Sequence, residues 1–158
     1  MSTDKGQTRA YGRTEDYVSF TIAEQLFGIP VLSVQDVLAS YKITRIPLAP
    51  NEIMGELNLR GRIVTAIDIR RRLGLQPREG DEKGMSIVVE NDGELYSLVV
   101  DGVGEVLSLG ASAFEASPPT LDPQFRDYAS GIYRLDDGLL VVLDVSRLLN
   151  YGSATAAA

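Results

Sequence analysis

The side chains that could do chemistry are few. Asp68 and Asp144 occupy matching places in two similar stretches and invite reading as an acid–base couple. Each, however, ends an apolar strand pattern and precedes a short helical one, where a carboxylate accepts from the free N–H groups of the first turn, so a capping role is expected. Val99-Val100-Asp101-Gly102 bears a faint likeness to the apolar-apolar-Asp-Thr-Gly signature of aspartic proteases. The Thr is missing, and the matching positions Leu32 and Ser33 offer no second carboxyl to share a proton. Gly102-Val103-Gly104 lacks the third glycine and the long helix of a dinucleotide loop. With no histidine and no cysteine, the commonest general base, the thiolate nucleophile and the usual soft-metal ligands are excluded. The expectation is a protein that is not an enzyme, with no catalytic residues, no cofactor and no metal.

Arg60 stands apart. It sits at the apex of the turn Asn58-Leu59-Arg60-Gly61-Arg62, and its counterpart in the second stretch is Asp136, so the repeat itself does not demand a cation there. A guanidinium fork on a rigid hairpin can read a partner's carboxylate or carbonyl groups. A solvated turn residue or an internal salt bridge with one of the 22 acids explains it equally well. In Val34-Gln35-Asp36-Val37-Leu38 the valine spacing predicts a mostly buried strand with Gln35 and Asp36 outward.

The elements that position these residues are short strands. Tyr17–Ile22 and Leu26–Pro30 form a hairpin, with Pro30 at a strand end or an edge because it has no N–H. Glu56–Leu59 and Ile63–Ile67 flank the Arg60 turn, and Asp68 caps a short helix through Arg72 that Gly74 stops. Met85–Val89 and Leu95–Val100 bracket Asn91-Asp92-Gly93, and Ser130–Leu135 and Leu139–Leu143 bracket Asp136-Asp137-Gly138, both hairpin signals. Asp144 precedes a helical stretch from Val145 to Asn150. Pro50–Met54 and Asp122–Arg126 each suggest a turn or two of helix.

The two halves repeat. Leu26-Phe27, Ile29, Val31, Val34 and Asp36-Val37-Leu38 match Leu95-Tyr96, Leu98, Val100, Val103 and Glu105-Val106-Leu107 at an offset of 69 residues. Gly55, Leu59, Ile63, Ile67-Asp68-Ile69 and Arg71 match Gly131, Leu135, Leu139, Leu143-Asp144-Val145 and Arg147 at an offset of 76, the difference falling near Ser117–Pro123. Many short strands with regular turns predict an all-β fold with a few short helices, in two small barrels. The expected division is residues 1–15 as an N-terminal tail, 16–80 as a first barrel, 81–151 as a second, and 152–158 as a C-terminal tail.

Net charge is −7, which disfavours nucleic acid, whose affinity comes from cations neutralising phosphates. The basic run Arg70-Arg71-Arg72 reads as a solvated helix face. The first residues hold no apolar signal region, and no stretch approaches eighteen uninterrupted apolar residues, so no direct membrane insertion and a cytoplasmic location are expected.

Leu26–Val31, Val34-Gln35-Asp36-Val37, Ile43-Thr44-Arg45-Ile46-Pro47, Gly55–Val64, Asp68-Ile69-Arg70, Val99–Val103 and Glu105-Val106-Leu107 together resemble the CheW-type chemotaxis coupling proteins, over roughly residues 17–150. The resemblance implies two SH3-like five-stranded β-barrels related by a pseudo-twofold axis. It also implies a scaffold recruited to membrane-associated arrays, where it joins the cytoplasmic tip of methyl-accepting chemoreceptors to the regulatory domain of a chemotaxis histidine kinase. On it, Asn58, Arg60, Gly61 and the adjoining Arg62 correspond to the turn used in receptor and array contacts, and Val34 and Asp36 to a second contact strand, with Asp36 standing where Glu is common. Other readings are an adaptor in a different kinase-linked sensory pathway and, more remotely, a small-molecule sensor. Co-purifying receptor fragments separate the first, and a ligand-dependent melting shift the second.

Overall fold

A computed structural model describes residues 13–78, 84–116 and 121–150. Ten strands alternate with short helical turns. They are β1 (Thr14–Ile22), β2 (Gln25–Pro30), β3 (Val34–Leu38), β4 (Ile53–Leu59), β5 (Arg62–Asp68), β6 (Met85–Asn91), β7 (Glu94–Val100), β8 (Gly102–Gly110), β9 (Ala129–Leu135) and β10 (Gly138–Leu143). The helices, of four residues each, are α1 (Ile69–Arg72), α2 (Pro123–Arg126) and α3 (Val145–Leu148).

Local chemistry explains the punctuation. Asp68 Oδ1 accepts from Arg70 N at 3.1 Å and Asp144 Oδ1 accepts from Arg147 N at 3.1 Å, so both carboxylates cap the helices that follow, as expected. Gly74 beyond α1 has φ +77°, the left-handed stop that glycine permits. Asp122 caps α2, whereas the turn of helix expected at Pro50–Met54 does not form. There β4 begins at Ile53, because Asp68 N donates to Glu52 O and ties that segment beside β5.

The strands form two five-stranded sheets, ordered β8-β1-β2-β10-β9 and β3-β6-β7-β5-β4. The contacts Leu140↔Leu26 and Val64↔Leu95, in the two parallel pairs, are related by the sequence repeat, as are Tyr17↔Leu107 and Ser86↔Leu38. The pseudo-twofold relation therefore holds residue by residue, and the all-β, two-unit SH3-like architecture is as expected.

The partition of strands is not. A division at residue 80 would put β1–β5 in one unit and β6–β10 in the other. Instead β1 and β2 join β8–β10, while β3–β5 join β6 and β7. Each half lends three strands to its neighbour, because the chain changes sheet after Pro30 and again at Asp101. Thr14 and Glu15, expected in the tail, pair with Gly110 and Leu109 in β1. The rest of that tail up to residue 12, and the C-terminal tail, lie outside the described residues.

Burial follows from this exchange. Phe20, Phe27 and Ile29 of the first sheet meet Ile67, Ile87, Val89 and Leu98 of the second in a shared core. The opposite faces close separate cores: Tyr17, Tyr133, Leu140 and Val142 within the first unit, and Leu57, Val64, Val88 and Leu95 within the second. Central strands buried on both faces are why their sequences read as unbroken apolar runs rather than alternating ones.

Candidate functional site

The site is built on the second sheet. Leu59 pairs with Arg62, leaving Arg60-Gly61 as a two-residue turn. Both have positive φ, 51° and 84°, which matches the twist of the flanking strands. Glycine accepts that conformation freely; for Arg60 it is held in part by Asn58, whose Oδ1 accepts from Gly61 N at 2.9 Å. Asn58 is thus the latch of the turn, and Arg60 its projecting tip.

β3 lies at one edge of the same sheet and β4 at the other. With strands about 4.8 Å apart, β3 and β5 would stand about 14 Å apart in a flat sheet. Yet Arg60 Nη2 donates to Asp36 Oδ2 at 2.8 Å. The sheet curls enough for this ion pair to link β3 to the β4–β5 turn at the rim. Asp36 Oδ1 also accepts from Val37 N at 2.9 Å. The Arg60 hydrogen bond, with help from that amide, holds the Asp36 carboxyl below its ordinary pKa.

Of the predicted residues, Asp36, Asn58, Arg60 and Gly61 therefore converge on one spot. Val34 starts β3 opposite Val89 and packs against the shared core, so it anchors the strand more than it presents a surface. Arg62 lies just beyond the turn in an open depression with Glu56, Thr65, Glu94 and Leu95. β3 differs from its predicted buried character: none of its residues is fully buried. It is an edge strand, and an irregularity between Val34 and Asp36 shifts its register and turns Val37 outward.

Two surface features escaped sequence reasoning. Val37, next to Asp36, is exposed, and Ile63, 57% exposed, lines the depression that holds Arg62. Their types are those of core residues; Val37 is exposed on the edge strand β3, and Ile63 just after the turn at the start of β5. The basic run departs from the expected solvated face as well. Arg70 is ion-paired to Asp101 at 2.7 Å, and Arg72 donates to Leu148 O at 2.8 Å and lies 5.0 Å over the Tyr128 ring.

The second unit's counterpart is chemically different. Asp36 and Arg60 correspond to Glu105 and Asp136, two acids where the first has a complementary pair. The rim with Asp36 and Arg60 is a polar patch of both signs, with the exposed Val37 beside it. Among the described residues no cluster of three or more His, Cys, Asp or Glu could hold a metal, and no helix is long and apolar enough to cross a membrane.

The CheW-like domain family matches residues 16–152. This chain belongs to that family. It is 33% identical over 136 residues to the chemotaxis protein CheW of Klebsiella aerogenes, covering 86% of this chain and 82% of that one. It is 28% identical over 144 residues to CheW of Bacillus subtilis, covering 90% and 92%. Protein PilI of Pseudomonas aeruginosa is 23% identical, over 78% and 70%. Among solved structures, the scaffolding protein TtCheW of Thermoanaerobacter tengcongensis superposes with a TM-score of 0.74 at 33% identity, covering 83% of this chain and 89% of that one. The CheW-like match spans both sheets, so the exchanged strands fall within one family unit.

Proposed function

We propose that this chain is a non-catalytic chemotaxis scaffold that couples the cytoplasmic tip of transmembrane chemoreceptors to the regulatory domain of a chemotaxis histidine kinase. Family membership along nearly the whole described chain supports the pathway. The observation that carries the site is the Asp36–Arg60 bridge, which gathers both expected contact segments onto one rim. In this reading Val34 braces the strand, Asn58 and Gly61 set the turn, and Arg60, Asp36 and Arg62 meet the partner, with Val37 and Ile63 supplying apolar contact.

The mechanism is geometric. A receptor helix tip docks on a rigid β surface, the kinase domain on another, and the receptor's change of state biases the kinase through differential contacts. No bond is made or broken in this chain. It is recruited from the cytoplasm to receptor arrays through these contacts.

The test uses the purified full chain with a receptor cytoplasmic fragment and a kinase regulatory domain, each titrated separately. Arg60→Glu places like charges beside Asp36, and we expect affinity for at least one partner to fall about tenfold or more, with the circular dichroism spectrum unchanged. Unaltered affinity for both sinks the site assignment. If the native chain binds neither partner, the chemotaxis reading itself fails. The reading then left is a CheW-like adaptor in a different kinase-linked sensory pathway.

A further inference from the structure

The chain passes between the sheets at two pseudo-equivalent points, Val31–Ser33 between β2 and β3, and Asp101 between β7 and β8. They are built differently. At the second, the Asp101 carboxylate gathers donors from three pieces of chain. Ala23 N, in the β1–β2 turn, reaches Oδ2 at 2.7 Å. Arg70 of α1 grips both oxygens, Nε to Oδ1 at 2.9 Å and Nη2 to Oδ2 at 2.7 Å. Arg78, beyond α1, adds Nε to Oδ1 at 3.2 Å. Arg78 is only 9% exposed, lies 3.9 Å from Asp68, and donates to Val99 O at 3.4 Å. Arg70 further donates to Gln76 O at 2.9 Å.

At the first crossing the residue matching Asp101 is Leu32, 93% exposed, and those matching Ala23 and Arg70 are Asp92 and Ser146. The nearby Ser146 Oγ to Asn91 Oδ1 contact, at 3.4 Å, is neutral and long.

We propose that Asp101 is the centre of an ionic clamp that locks the β1–β2 hairpin of one sheet onto the α1 side of the other, leaving the pseudo-equivalent crossing at Leu32 as the compliant side of the molecule. The shared apolar core holds the sheets together, but apolar burial is non-directional. A bidentate guanidinium–carboxylate contact is directional and, half-buried, little screened. Near-identical folds on the two sides thus receive unequal stiffness from a handful of side chains.

The test is residue-resolved amide hydrogen exchange on the full chain, without any partner. In Asp101→Asn the Ala23 and Asp101 amides should exchange roughly tenfold faster, while Val34 at the other crossing and Val89 and Leu98 in the core keep their protection. Unchanged exchange at Ala23 overturns the clamp, and so does an equal acceleration everywhere, which reports only global destabilisation. If Asp101→Asn does not fold, Arg70→Lys keeps the charge and loses the fork. It should raise exchange severalfold at Ala23 alone, and no change there overturns the proposal equally.

Discussion

Ionic contacts in this chain differ in kind, and their surroundings decide what each does. Arg60 is 74% exposed, so its bridge to Asp36 is worth no more than about 1 kcal/mol of stability; in the proposed function it aims a charge at the partner. Asp36→Asn should leave the thermal midpoint within about 2 °C of the native value, measured by calorimetry, while weakening partner binding. A large loss of stability would make the pair structural. Asp101 behaves otherwise. Burial raises its pKa, but the Arg70 hydrogen bonds, the Ala23 amide and the charges of Arg70 and Arg78 outweigh that and leave it below the ordinary 3.8. A carboxyl with a depressed folded pKa adds stability at higher pH and loses it as the pH falls through that depressed value. The stability gap between the native chain and Asp101→Asn should therefore be widest near neutrality and shrink below pH 3.8. A pH-independent gap in denaturant titrations would contradict this. That Asn58, Arg60 and Gly61 form a tight turn with Arg60 at its apex could be read from sequence because turn chemistry is local. That Asp36 answers Arg60, and that Asp101 answers Arg70, could not, since both pairings depend on how the sheets curl and cross.

At the scale of the element, turns and caps were legible because their causes lie within a few residues. The Asp-Gly turn at Asp92-Gly93, the Asp68 and Asp144 caps and the Gly74 stop all form where their side chains predict. What sequence leaves out is the close approach of distant strands. Gly55 and its repeat mate Gly131 each lie beside an isolated bridge, Thr44 to Glu56 and Glu115 to Ile132. A Cβ on Gly55 would fall 2.1 Å from Thr44 O, with φ at +145°, and one on Gly131 2.5 Å from Glu115 O. Gly61, by contrast, has φ +84° and open space around it. Gly61→Ala should thus cost only the backbone strain, about 1–2 kcal/mol. Gly55→Ala must in addition displace a backbone carbonyl, and should cost about 3 kcal/mol or more or prevent folding. Urea titration of the two variants ranks them, and equal losses would show that the Thr44 bridge yields freely.

For the whole molecule, the repeat announced two similar units but not which strands each would own. Strand pairing within a hairpin is set by its turn. The partner of the next strand depends on which way the chain crosses, and the same repeat serves for side-by-side halves or exchanged ones. Here the exchange makes each half dependent on the other: residues 1–80 carry the β1–β2 hairpin of one sheet and the β3, β4 and β5 strands of the second, and neither set is complete. Cut free, that half would expose both faces of hairpins such as β1–β2, whose residues Phe20, Phe27 and Ile29 need the opposite sheet to be covered. An isolated two-stranded hairpin is marginal in water at best. We therefore expect fragments 1–80 and 81–158, each alone at low micromolar concentration, to show no cooperative thermal transition. Mixed in equal amounts, they should recover the native circular dichroism spectrum and a single transition. Were the 1–80 fragment to melt cooperatively as a monomer, a self-contained barrel would have to exist within it, and the exchanged pairing would not be what holds this fold together.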